Sequence, residues 1–174
     1  LHKVGFLPLI AGGFAGAVVG LGALVAGGTS IGMVLGLVLL GLGTGLAVPS
    51  TSMAVMASVP RERSGMASAT MNALRQTGMT IGIALLGALM SARAIDALAA
   101  ALARRGVPGA EIAAHAAVTR HVMPAQPADA AVLFGDALTG GFHAAMSAAG
   151  GAALLAALLL ALLARGSRRL LRAA

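Results

Sequence analysis

The 174-residue chain contains no cysteine, no tryptophan and no tyrosine, and only 10% of its residues are charged. Without cysteine there are no disulfides and no thiolate metal sites, and the redox compartment leaves no mark. Without tryptophan and tyrosine the usual aromatic belts of a membrane protein are missing, so anchoring falls to Arg, Lys and the helix ends. The scarcity of charge is the most informative lack. A soluble domain carries about 25% charged residues, and this chain cannot cover a water-facing surface of that kind.

Acids are scarcer still. Glu62, Asp96, Glu111, Asp129 and Asp136 are the whole set, so no paired carboxylates fall within an apolar run, and no serine stands beside a histidine. Nothing here provides for enzyme chemistry, and no catalytic residue is assigned. The run Gly41-x-Gly43-x-Gly45 has no strand before it and no Lys-Ser/Thr after it, which excludes a phosphate cradle. The formal net charge of +7 does not point to nucleic acid, because the basic residues flank apolar runs with no aromatics interleaved. Glu111 and His115 lie four apart with His121 following. No HExxH pattern supports a metal there, and a solvated loop helix accounts for them; no metal or cofactor is expected.

What is present is apolar: 59% of the residues are hydrophobic and the mean hydropathy is +0.95. Four runs are long enough to cross a hydrocarbon core of about 30 Å. They extend from about Val4 to Gly27, Ile31 to Ala57, Met66 to Ala92 and Ala137 to Ala164, with an outer loop over 93–136. In that loop Ala94 to Arg105 is helical by propensity, Gly106 to Gly109 breaks it, and Glu111 to His121 can resume a helix. The expected fold is an all-α, polytopic transmembrane bundle of four spans. No cleavable signal peptide is visible, and a start at Leu1 rather than Met leads us to expect an internal fragment of a longer protein.

Span one places Gly12, Gly16 and Gly20 on one face, a spacing that lets a neighbouring backbone approach closely in lipid. A short turn at Thr29 and Ser30 sends span two back beside it. Span two repeats the device at Gly32 and Gly36, then at Gly41 and Gly45 with Gly43 between them. Pro49 inside this run frees the carbonyl of Gly45, and Ser50, Thr51 and Ser52 follow at once to satisfy freed backbone groups. Two readings stand side by side: a permanently bent packing helix, or a hinge or unwound cavity wall.

Span three follows a basic turn, Val59 to Gly65, and carries Asn72, Gln76 and Thr80 on one face with Arg75 beside them. Gly78 and Gly82 form another close-approach pair. Arg75 lies about 13 Å into the span at 1.5 Å per residue. A charge near the bilayer centre costs about 2.5–3.5 kcal/mol by insertion scales. Arg75 therefore either snorkels or braces the bundle, or serves substrate passage or a conformational switch. His143, in the first turns of span four, reads as an interfacial histidine before a proton relay.

Alternating spans put Lys3, Arg61, Arg63, Arg165, Arg168, Arg169 and Arg172 on one side against Glu62 alone. The other side balances Arg93, Arg104, Arg105 and Arg120 against four acids. By the positive-inside rule the first side, with both chain ends, is cytoplasmic.

The segment Gly41 to Gly87 resembles the C-terminal part of the fourteen-span drug:proton antiporters of the major facilitator superfamily. The residues that carry the resemblance are Gly41, Gly43, Gly45 and Pro49, then Val59-Pro60, Gly65, Asn72, Arg75-Gln76, Gly78 and Gly82-x-Ala84. Leu1 to Gly5 is similar to the end of the loop preceding span eleven, although Phe6 and Leu7 stand where the family has an arginine. The resemblance implies spans eleven to fourteen of an inner-membrane multidrug exporter. It also implies that its partners are the bilayer, the remaining spans and an amphipathic, often cationic, small molecule, and that the proton-coupling acids lie in the N-terminal half. Asn72, Arg75, Gln76 and Thr80 would then line or brace the path, and Gly41 to Pro49 would permit bending. The alternative is a small membrane scaffold that assembles through its glycine faces.

Overall fold

The computed structural model describes residues 6–26, 30–120 and 127–173, with side chains over 8–26, 30–120 and 127–162. Helix α1 covers Phe6–Ala26, α2 Ser30–Ala57, α3 Ser64–Arg104, α4 Ala110–Arg120 and α5 Ala130–Ala173, with a single 3-10 turn at Arg61–Arg63 between α2 and α3. All regular structure among the described residues is helical. Four of the helices are long and apolar enough to cross a membrane, so the fold is an all-α helical membrane bundle. Thr29, at the expected turn between α1 and α2, and His121 lie outside the described residues.

The helices sort into two compact units, one formed by Leu1–Thr80 with Ser147–Ala174 and the other by Ile81–Met146. In the first, α1 and α2 pack antiparallel along a seam of small residues. Gly13, Ala17, Gly20 and Leu24 of α1 and Gly36, Gly43 and Ala47 of α2 are all buried, spaced as one stripe of a helix. A Cβ placed on Gly20 would lie 2.5 Å from the Leu40 amide nitrogen, and one on Gly43 2.5 Å from that of Ala17. The two backbones therefore touch. Of the expected glycines, Gly16, Gly20 and Gly36 lie against the partner helix, whereas Gly12 is exposed with Gly13 taking its place, and Gly41 and Gly45 have open space around them. The physical reason is the seam's repeat, which alternates steps of four and three residues; strict four-residue spacing drifts off the contact within two turns.

Outside that seam the unit is apolar and open. Ile31 is 73% exposed and Leu74 69%, which water would not tolerate over so many residues and a hydrocarbon surrounding would.

The second unit has a core of its own. Leu98 and Leu102 of α3, Ala114 and Ala117 of α4 and Ala137 of α5 are buried together, with Val107 and Phe134 packed against them. Gly141 of α5 brings that helix onto the α3 backbone, since a Cβ there would stand 2.5 Å from the Met90 carbonyl oxygen. The expected loop over 93–136 is thus largely helical, and two boundaries shift. α3 runs on to Arg104 instead of ending near Ala92, and α5 opens at Ala130, ahead of Ala137. Charge at Arg93 and Asp96 ends an apolar run but not a helix, because the alanine-rich sequence that follows favours one.

What ends α3 is Gly106, at φ 72°. Its N–H donates to the Ala103 carbonyl at 2.9 Å and that of Val107 to Leu102 at 3.1 Å, the paired bonds of a glycine-terminated helix with its apolar closing contact. The break expected at Gly106 to Gly109 is there, and α4 follows it. Asp129, just before α5, pairs with Arg105 at 2.6 Å; with the guanidinium half exposed, the pair adds little stability.

Candidate functional site

Among the described residues α2 and α3 meet at one side-chain hydrogen bond. A terminal guanidinium nitrogen of Arg75, Nη2, donates to Ser52 Oγ at 3.3 Å. Ser52 Oγ in turn donates to the Val48 carbonyl at 3.0 Å, so the arginine is tied through one hydroxyl to the backbone beside Pro49. The Thr51 hydroxyl donates to the Ala47 carbonyl at 2.7 Å, and Ser50 is buried. These hydroxyls bond to the carbonyls of residues 47 and 48, whereas the sequence suggested the freed carbonyl of Gly45 as their target. α2 is continuous from Ser30 to Ala57 with Pro49 inside it, so among the two readings of this stretch no unwound segment is seen.

Arg75 is half-buried, whereas Asn72, Gln76 and Thr80 are exposed. The structure therefore brings Arg75 to α2 and leaves the amide stripe on an open face of α3. Thr80 is turned inward on its own helix, its hydroxyl donating to the Gln76 carbonyl at 3.0 Å. Of the glycines, Gly43 lies in the α1–α2 seam, and a Cβ added at Gly41, Gly45, Gly78 or Gly82 would meet nothing within 4 Å.

That Ser52 would also meet Arg75 is what the sequence reading missed. The signal was available: side chains on a helix lean toward its N-terminus, so Arg75 reaches back toward the Pro60 turn and down to a level on α2 short of its end. A hydroxyl eight positions before Pro60 meets it there.

A second omission concerns Gly28-Thr29-Ser30-Ile31-Gly32, which has the G-x-S-x-G spacing of a nucleophile elbow. That motif needs a strand leading into a helix. Ser30 is the first residue of α2, which follows helix α1, and no strand occurs among the described residues, so the spacing carries no nucleophile here. In α4, His115 and Glu111 lie exposed, and the Thr119 hydroxyl donates to the His115 carbonyl at 2.6 Å. Among the described residues no group of three or more metal-ligating side chains occurs. The His143 ring is tilted 53° against Phe142 at a centroid distance of 6.2 Å.

Over 60 residues, 34% of the chain, it is 43% identical to the multidrug resistance protein Stp of Mycobacterium tuberculosis strain CDC 1551 / Oshkosh. The same protein from strain ATCC 25618 / H37Rv matches equally. The matched stretch covers 11% of the length of these curated relatives. No protein-family model matches the chain, and no solved structure matches it. The chain is thus partly similar to a multidrug resistance protein and is built from apolar membrane helices.

Proposed function

We propose that the chain forms part of a proton-coupled exporter of amphipathic, often cationic, small molecules, of the fourteen-span major facilitator type, and supplies spans eleven to fourteen. The observation that carries this reading is the likeness to a multidrug resistance protein, joined to an arginine held inside an apolar helix pair beside a proline. In this reading the protein resides in the inner membrane with both ends of the segment and the Pro60 turn in the cytoplasm. Arg75 then sits in the cytoplasmic half of α3 and braces α2 below Pro49, where the two helices part or close as access alternates. The acids that bind the proton and the cation belong to other spans.

The test is efflux of a fluorescent lipophilic cation from cells that make the protein in its encoded form and from cells that lack it. Cells with the protein are expected to expel the dye several-fold faster, and a protonophore is expected to remove the difference. Equal rates in both cells contradict export. Faster efflux that survives the protonophore removes the proton and keeps the transporter.

A further inference from the structure

Among the described residues Arg75 of α3 has no acidic counterpart for its charge. The Arg75 guanidinium has five N–H donors, and Ser52 Oγ takes a bond from Nη2 at 3.3 Å. A hydroxyl offers hydrogen bonding but no negative charge. The chain has no acid between residues 63 and 95. Glu62 precedes Arg75 by thirteen positions, about 20 Å along a helix axis, and Asp96 follows it by twenty-one, about 31 Å. Beside Arg75, the Asn72 and Gln76 side chains are exposed, and among the described residues neither amide has a hydrogen-bond partner.

Hydrocarbon satisfies none of these groups. Ionisable residues within membrane helices face protein or water and pair with an opposite charge or with carbonyls, and side-chain amides in membranes bond across helices. We propose that at this level α3 packs against a further membrane-spanning segment that presents a carboxylate to Arg75 and hydrogen-bonding groups to Asn72 and Gln76. Charge decides the occupant. A second copy of this chain carries acids in its membrane helices only toward their ends, at Glu62, Asp96 and Asp136, and a lipid tail brings no polar group at all. The identity of that segment as part of the same protein rests on the proposed transporter reading, whose relatives extend far beyond the stretch matched here.

Carbodiimide coupling tests the proposal in native membranes from cells making the encoded protein. Arg75→Lys keeps the charge and supplies an amine. Membrane-permeant dicyclohexylcarbodiimide adds to a carboxylic acid to give an O-acylisourea. The amine displaces dicyclohexylurea from it, leaving an amide between position 75 and the acid that was in contact. Mass spectrometry is expected to find one such peptide pair, ending on an acid outside residues 1–174 and absent from Arg75→Gln protein. A carbene generated in the lipid phase is expected to spare Asn72 and Gln76. Coupling only to Glu62 or to a second copy, absence of coupling, or carbene labelling of both amides overturns the proposal. Neither readout needs export. Absence of export by the unsubstituted protein, with coupling in the Arg75→Lys variant intact, therefore counts against the transporter reading alone.

Discussion

Gly43→Ala is expected to disrupt the α1–α2 hairpin, whereas Gly41→Ala, two residues away on the same helix, leaves it standing. The added methyl at Gly43 would lie 2.5 Å from the Ala17 nitrogen, 2.6 Å from the Gly13 carbonyl oxygen and 2.9 Å from the Gly16 carbonyl carbon. All three are backbone atoms, so no side chain can rotate away. The helices must instead separate by about 1 Å, which forfeits a substantial part of the dispersion energy along the whole seam. In lipid that close packing is the main force between helices, and overpacking a tight site costs about 1–3 kcal/mol even where neighbours can shift.

At Gly41 nothing lies within 4 Å, and alanine is the better helix former by about 1 kcal/mol. Equilibrium unfolding in mixed micelles should therefore show Gly43→Ala destabilised by about 3 kcal/mol, at the upper end of that range. Gly41→Ala should be unchanged or slightly stabilised. Equal behaviour of the two variants would mean that the seam is not where the structure puts it.

The second large effect concerns the arginine. Arg75→Gln is expected to slow dye efflux at least tenfold at matched protein levels, and Ser52→Ala about threefold to tenfold. A hydrogen bond to a charged group contributes about 1.5–3 kcal/mol when well formed, and about 1.4 kcal/mol corresponds to tenfold in rate. The 3.3 Å length of this one places it toward the weak end. If Arg75 acts on the Pro49 region through Ser52, the double variant is expected to be no slower than Arg75→Gln alone, because the two groups then share one interaction. Losses that multiply would show that Arg75 and Ser52 act separately. The carbodiimide result bears on the same residue from its other side, since a guanidinium between a hydroxyl and a carboxylate holds two membrane segments at once.

Much of this fold is legible in the sequence, for a physical reason. A run of about 20 apolar residues has few ways to satisfy its backbone in lipid, and helix is the simplest. The four runs therefore announce four helices. Their ends are less legible, because Arg93 and Asp96 end the apolar run while the helix continues to Arg104. Only Gly106, with its left-handed backbone, stops it. Which glycines pack is not legible either. Gly12, Gly13, Gly16, Gly20 and Gly22 offer α1 several small-residue faces, and the partner's own ridges choose among them. The polar stripe of α3 is visible as a pattern. That Arg75 leaves it to meet Ser52 depends on the lean of a side chain and the depth of a neighbouring helix, neither of which spacing along one helix encodes.

All of these expectations stand on four crossings with the Pro60 turn on one side of the membrane and Gly106 to Gly109 on the other. The absence of cysteine makes this directly measurable with single Ser64→Cys and Ala110→Cys variants and a membrane-impermeant maleimide. Intact cells are expected to label the variant at position 110 and not the one at 64, which should react only after permeabilisation. Labelling of both positions from outside, or of neither, would contradict the crossing of α3 and with it the placement of Arg75 inside the bilayer.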